Sequence, residues 1–202
     1  MTGTPRPSDQ LREAGLGSFF RPRDAEVAGI TYGELRRLEA DGFVEREARG
    51  LYRRSDAELT RFHDIAAVCA RVPDAVVCLL TALVVHEIGT QLPREVWIAI
   101  PQGNRTPILT TPSARVMRFS GASLRYGVED TDFEGVPARI TSPARTVVDC
   151  FRFRSRVGQD VAQEALDDVL ADGRVSRAEI WRAASACRAR SLLGPALDAR
   201  SY

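Results

Sequence analysis

Apolar and polar positions in the first 56 residues follow two successive rhythms. Residues 8–14 and 22–28 carry the three-to-four-residue spacing of short amphipathic helices, with Gly15-Leu16-Gly17 breaking the first and Gly29 ending the second. A third helix opens at Thr31, which stands three residues before Glu34 in the spacing of a capping box. Leu35 and Leu38 line one side of it, so Tyr32, Gly33, Arg36, Arg37 and Ala40 are expected to face outward. Gly42 sits where a left-handed residue closes a helix. Two β-prone runs follow, 43–46 and 51–54, separated by a turn at 47–50. Helix, helix, turn, helix, hairpin is the order of a winged helix-turn-helix.

That order predicts a DNA-binding domain over residues 1–56. The third helix would enter the major groove with Thr31, Tyr32, Gly33, Arg36 and Arg37 nearest the bases, a guanidinium being able to bond guanine through two donors. Arg46, Arg49 and Arg53 on the hairpin would meet phosphate or the minor groove. Winged helices also serve as protein-protein modules, and charge does not separate the two readings. Residues 1–56 hold ten arginines against ten acids, so attraction to DNA must come from a local patch. Moderate affinity, as a monomer or a weak dimer on DNA, is expected.

From residue 57 to 202 the pattern changes to an α+β domain. A second capping-box spacing, Ser55 with Glu58, predicts a helix from there to about Arg71. Short apolar runs at 74–80 and 96–100, with β-prone segments at 115–119, 124–127, 132–134 and 138–140, predict a mixed or mainly antiparallel sheet. Residues 81–88 suit a small helix. Ser142-Pro143 opens a helix to about Phe153, and helices are expected over 159–171 and 176–189. Gly194-Pro195 marks residues 191–202 as a tail or a marginal final turn.

Composition narrows the chemistry. All 28 basic residues are arginine, which removes mechanisms that need a lysine amine, the P-loop and the Schiff base among them. Asp74 and Glu95-Val96-Trp97 superficially match a metal-dependent nuclease, but Trp97 stands where lysine should be. His63 and His86 have no nucleophile pattern beside them, so no enzyme activity, cofactor or metal is expected. Cys69, Cys78, Cys150 and Cys187 are widely spaced and are expected to be buried thiols. No apolar run approaches the roughly 20 residues that span a bilayer and the N-terminus is polar, so the expected location is the cytoplasm. One basic patch stands out: Arg139, Arg145, Arg152, Arg154 and Arg156 against the single acid Asp149. It could hold a nucleic-acid backbone, an anionic partner, or the acids Asp160, Glu164, Asp167 and Asp168 of the next helix.

The chain resembles the AbiEi-type antitoxins of type IV toxin-antitoxin (abortive infection) systems. The likeness lies in Arg49-Gly50-Leu51-Tyr52 closing the wing, in residues 81–88 and 96–101, in residues 140–149, and in Ile180-Trp181. The resemblance implies a repressor that binds inverted repeats in its own promoter, on double-stranded DNA, through the N-terminal domain. It also implies that the C-terminal domain counteracts a cognate nucleotidyltransferase toxin, by binding it or through the toxin's target. The residues alone leave a second reading open, a stand-alone regulator whose C-terminal half senses a ligand or dimerises.

Overall fold

The computed structural model describes residues 7–200, which form two compact units, one of residues 7–73 with 131–138 and the other of 74–130 with 139–200. The first unit holds α1 (Pro7–Glu13), β1 (Phe19–Phe20), α2 (Pro22–Val27), α3 (Tyr32–Ala40), β2 (Val44–Ala48), β3 (Leu51–Arg54) and α4 (His63–Arg71). Strand β1 was not anticipated. Its two phenylalanines pair antiparallel with Tyr52 and Arg53, completing a three-stranded sheet in the order β1-β3-β2. Leu11, Phe20, Ala25, Leu35, Val44 and Tyr52 form the core beneath it, with the Phe20 and Tyr52 rings stacked at 6.1 Å.

The helix expected from Ser55 begins only at His63. The Ser55 amide instead donates to the Phe43 carbonyl, and Asp56 pairs with Arg54 and Arg12. Leu59 is 70 % exposed, and Thr60 is held by its amide and hydroxyl to Glu134 Oε1, at 2.9 and 2.7 Å. These bonds hold Thr60 in a non-helical stretch, 57–60, which a turn at 61–62 joins to the helix.

Glu134 lies at the tip of a hairpin between β7 (Val128–Phe133) and β8 (Val136–Thr141), whose end, 131–138, belongs to the first unit. The two turn residues, Glu134 and Gly135, have φ of 53° and 77°, the left-handed pair that matches strand twist in a two-residue hairpin. A left-handed glutamate is costly, and its contacts offset the cost. Its carbonyl accepts from the Ser18 amide at 2.8 Å, and its second carboxylate oxygen is 3.3 Å from His63 Nδ1. A Cβ on Gly17 would lie 2.5 Å from the Gly135 backbone, so this approach requires glycine.

The second unit is built on a five-stranded mixed sheet in the order β6-β5-β4-β8-β7, which adds β4 (Val76–Val77), β5 (Val96–Pro101) and β6 (Ala114–Phe119). β4 pairs antiparallel with β5 and parallel with β8, and β5 pairs parallel with β6 in the register Val96↔Ala114 to Pro101↔Phe119. The expected strand at 124–127 is instead a 3₁₀ turn, Gly121–Leu124, and a loop before β7. Helices α5 (Leu79–Val85), α6 (Pro143–Arg152), α7 (Arg154–Val157), α8 (Gln159–Ala171), α9 (Arg177–Ala186) and α10 (Arg190–Asp198) complete the unit. The expected tail is thus a helix. Arg188 at φ 54° closes α9 early, and Leu193 and Leu197, both fully buried, hold α10 in helical form despite Pro195. Among the described residues no helix is long and apolar enough to cross a membrane.

At the centre of this unit α6 packs against α5, α8, α9 and α10. Arg145, expected on a surface patch, is fully buried there. Its Nε donates to Asp149 Oδ2 at 2.9 Å, and its two remaining nitrogens donate to the carbonyls of Tyr126 and Ser123 at 2.6 and 2.9 Å. Asp149 takes a second bond from Arg152 at 2.7 Å. Every acceptor here matches a donor, which is the condition for a buried charge to be tolerated.

Two outcomes follow from this geometry. Asp149→Ala, which strands the Arg145 charge, should lower unfolding free energy by about 3–5 kcal/mol in urea melts; a loss below about 1 kcal/mol would show that the pair does not organise the core. Glu134→Gln tests the hairpin anchor. Burial opposes the Glu134 charge, yet bonds from Thr60, Ser18 and His63 hold its carboxyl below the usual range. A depressed carboxyl stabilises above its unfolded value and loses that contribution as pH falls. The variant should therefore be less stable at neutral pH, with the deficit closing as pH drops below the ordinary 4.5; a deficit constant with pH would refute the role.

Candidate nucleic-acid interface

The capping box of α3 forms as the spacing requires. The Glu34 amide donates to Thr31 Oγ1 at 3.3 Å, and Glu34 Oε2 accepts from the Thr31 amide and hydroxyl at 2.8 and 2.7 Å. These hydrogen bonds, led by the Thr31 hydroxyl, hold the Glu34 carboxyl below its usual range. The Thr31 hydroxyl is thereby committed to the cap, and its part in any interface is to start the helix at a fixed residue.

Leu35 faces inward and Leu38 is half-buried, which leaves Tyr32, Gly33, Arg36, Arg37 and Ala40 outward as expected. Tyr32 is 66 % exposed, and a Cβ on Gly33 would meet nothing. Arg36 makes an exposed ion pair with Glu39 at 3.1 Å, a contact worth at most about 1 kcal/mol and readily exchanged for another anion. Arg37 borders an open groove of about 370 Å³ between α1 and α3, beside Gln10 and Leu11.

The hairpin β2–β3 forms the wing, with a register shift between Arg46 and Ala48 and Gly50 at φ 75° in its turn. Arg46 and Arg49 are exposed. Arg53 departs from the expectation of a phosphate contact. Its guanidinium is 15 % exposed and clamped by Glu45 at 2.6 Å and Glu47 at 2.9 Å, two carboxylates of the neighbouring strand. Burial opposes its charge, and the bonds to Glu47 and Glu45 outweigh that and raise its pKa. It stiffens the wing instead of offering it a free charge.

The five-arginine cluster is not a surface patch. Arg139 donates to the Asp74 carbonyl, Arg145 is buried, Arg152 holds Asp149 while lying 5.2 Å from the Phe153 ring centroid, and Arg154 donates to the Phe151 carbonyl at 3.0 Å. Arg156 is exposed. The acids of α8 are turned elsewhere: Glu164 accepts from Thr90, Asp168 from the Gly89 amide, and Asp167 pairs with Arg200. Alternating arginine and phenylalanine in sequence carried no information about which way each guanidinium folds back.

The remaining candidates have structural positions. His86 Nε2 donates to the Thr141 carbonyl at 2.7 Å, and burial pushes its pKa down. Burial also raises the four thiols, Cys69 to about 12. Glu95 pairs with Arg115 at 2.9 Å, and among the described residues no three His, Cys, Asp or Glu side chains gather as a metal site.

Residues 9–55 match the family model of the transcriptional regulator AbiEi antitoxins. The matched segment is the helix, strand, helix, helix, hairpin just described, which ends at the wing. Among solved structures, the RV2827C protein from Mycobacterium tuberculosis superposes with a TM-score of 0.57 at 18 % identity, over 95 % of this chain and 76 % of that one. At that identity the likeness is one of fold, and it extends across both units. No curated protein matches the chain.

The cap sets the helix that this matched segment presents. Thr31→Ala should destabilise the first unit by about 1 kcal/mol in thermal or urea melts, with Thr31→Asp close to neutral. Equal losses in both would place the effect outside capping.

Proposed function

We propose that the protein is a DNA-binding autorepressor and an antitoxin that neutralises a nucleotidyltransferase-type toxin. The observation that carries the DNA-binding half is the exposed face of α3, capped at a fixed residue and bearing Tyr32, Gly33, Arg36 and Arg37 within the segment that matches AbiEi regulators. In this reading α3 lies in the major groove of inverted repeats in the protein's own promoter. Arg36 exchanges Glu39 for a base edge or phosphate, Arg37 does so without losing an ion pair, and Arg46 and Arg49 bring the wing to the backbone.

Two exposed wing arginines and two on α3 make a small electrostatic footprint, because Arg53 is already neutralised. A footprint of that size favours two copies on a two-fold site over tight binding by one. The antitoxin half rests on the family match, and the second unit, with its own core, is the part assigned to it.

The test is a gel-shift titration of the full chain on its own upstream DNA and on an unrelated duplex at physiological salt. Selective binding is expected, and Arg37→Ala should weaken it by about 5- to 150-fold, the equivalent of one lost base contact. Equal binding to both fragments, or an unchanged Arg37→Ala, would move recognition off α3. Glu45→Gln with Glu47→Gln should free Arg53, raise affinity and steepen its dependence on salt. Where a nucleotidyltransferase is encoded beside it, co-expression of the two should restore growth; toxicity unaffected by the full chain, or no such neighbour, would leave a stand-alone regulator.

A further inference from the structure

The second unit carries an aromatic depression that the regulatory reading does not use. It has a volume of about 450 Å³ and is lined by Tyr126, Trp181, Arg182, Ser185, Ala186 and Arg190. Trp181, Arg182 and Ser185 come from α9, Arg190 opens α10, and Tyr126 comes from the loop before β7. Tyr126 is more than a third exposed and Trp181 is half-buried, so both rings reach the surface.

The site is built by the core below it. Arg145 holds the Tyr126 loop by the carbonyls of Ser123 and Tyr126, and a Cβ on Gly127 would lie 2.9 Å from Arg145 Cβ, so the loop closes against α6 only through glycine. Helix α9 packs on the same α6. On its far side the indole of Trp181 meets α10 at Gly194, where a Cβ would be 3.6 Å away. Ring positions are therefore set by the buried ion pair and by close helix packing.

Charge at the rim selects the ligand. Arg190 lies 5.9 Å from the Trp181 ring centroid and donates to Ser185 Oγ. Arg182 is exposed, and among the described residues its guanidinium has no hydrogen-bond or ion-pair partner. The nearest acid in sequence, Glu179, bonds Ser176, at 2.6 Å from its hydroxyl and 2.8 Å from its amide, and feels the Arg182 charge without forming an ion pair. Two aromatic faces beside two guanidiniums suit a planar ring joined to an anion.

We propose that this depression binds single-stranded nucleic acid, with a base against Trp181 and Tyr126 and the flanking phosphates on Arg182 and Arg190. Stacking on aromatic side chains with arginine on the backbone is how strands are held without reading sequence. The lining itself is mostly apolar, and it is the two guanidiniums beside the rings that favour an anionic strand over an apolar protein segment.

The chain has two tryptophans, and the other, Trp97, is 5 % exposed, so quenching of fluorescence on adding a strand reports on Trp181. The full-length protein would be titrated with a 12-nucleotide oligouridylate, the matching duplex, uridine monophosphate and inorganic phosphate. Saturable quenching by the single strand, weakened by salt, is expected. By anisotropy of the labelled strand, Arg182→Gln with Arg190→Gln should weaken binding at least about 10-fold and Trp181→Ala by a similar factor, while Trp181→Phe retains most of it. Binding of the upstream duplex should be unchanged in the Arg182→Gln, Arg190→Gln protein, which separates this site from α3. Absent quenching, binding by the monophosphate as tight as by the strand, or strand binding unaffected by the arginine pair would each overturn the proposal.

Discussion

A guanidinium with no access to water organises the second unit. Arg145 sits one turn into α6 and reaches three ways: to Asp149 on its own helix and to two carbonyls of the loop before β7. Because each of its three nitrogens is bonded, the residue joins the helix layer to the sheet connection at a defined distance, which apolar packing alone leaves adjustable. Around it lie Val147, Val148, Cys150 and Phe151, and against them α8, α9 and α10. The thiols of Cys78 and Cys187 feel this same ion pair, a sign of how near the polar centre lies to the apolar core.

In the first unit the governing economy is of charge. Ten arginines and ten acids occupy its first 56 residues, and the fold decides which of them cancel. Arg53 is spent on Glu45 and Glu47, Arg21 on Asp24, and Arg54 on Asp56. Arg23 on α2, Arg36 and Arg37 on α3, and Arg46 and Arg49 at the wing are left exposed, so a segment with no net charge still offers guanidiniums on the helix and hairpin. Composition alone does not show which arginines these are.

Local signals in the sequence were legible where they act over a few residues. The Thr31 box formed as spaced, Ser142 capped α6, and the wing turned at Gly50. Signals failed where a distant partner decided the outcome. Ser55 had the same spacing as Thr31, yet its amide is drawn to Phe43 and Thr60 is held out of a helix by Glu134, seventy-four positions away. Gly194-Pro195 reads as a breaker, but two buried leucines carry α10 through it. The arginine cluster misled for a related reason. Five basic residues in 18 positions make a patch only if they point outward, and one of them is fully buried. The family likeness, by contrast, was readable from the wing, where sequence and geometry coincide.

The hairpin tip gives the first unit an order of assembly. Residues 131–138 complete it although 57 residues of another unit are threaded before them, so its parts are contiguous in space and interrupted along the chain. A ribosome that has released 1–73 has made the helices, the wing and α4, but not Glu134, which bonds Thr60 and lies beside His63, nor Phe133, which meets the Phe62 ring. Closing that long loop carries an entropic cost that only the finished hairpin can offset. Fragments ending before residue 131 consequently carry the whole of α3 and the wing on an unfinished base, and completion of that base waits until translation has passed well beyond the middle of the 202-residue chain.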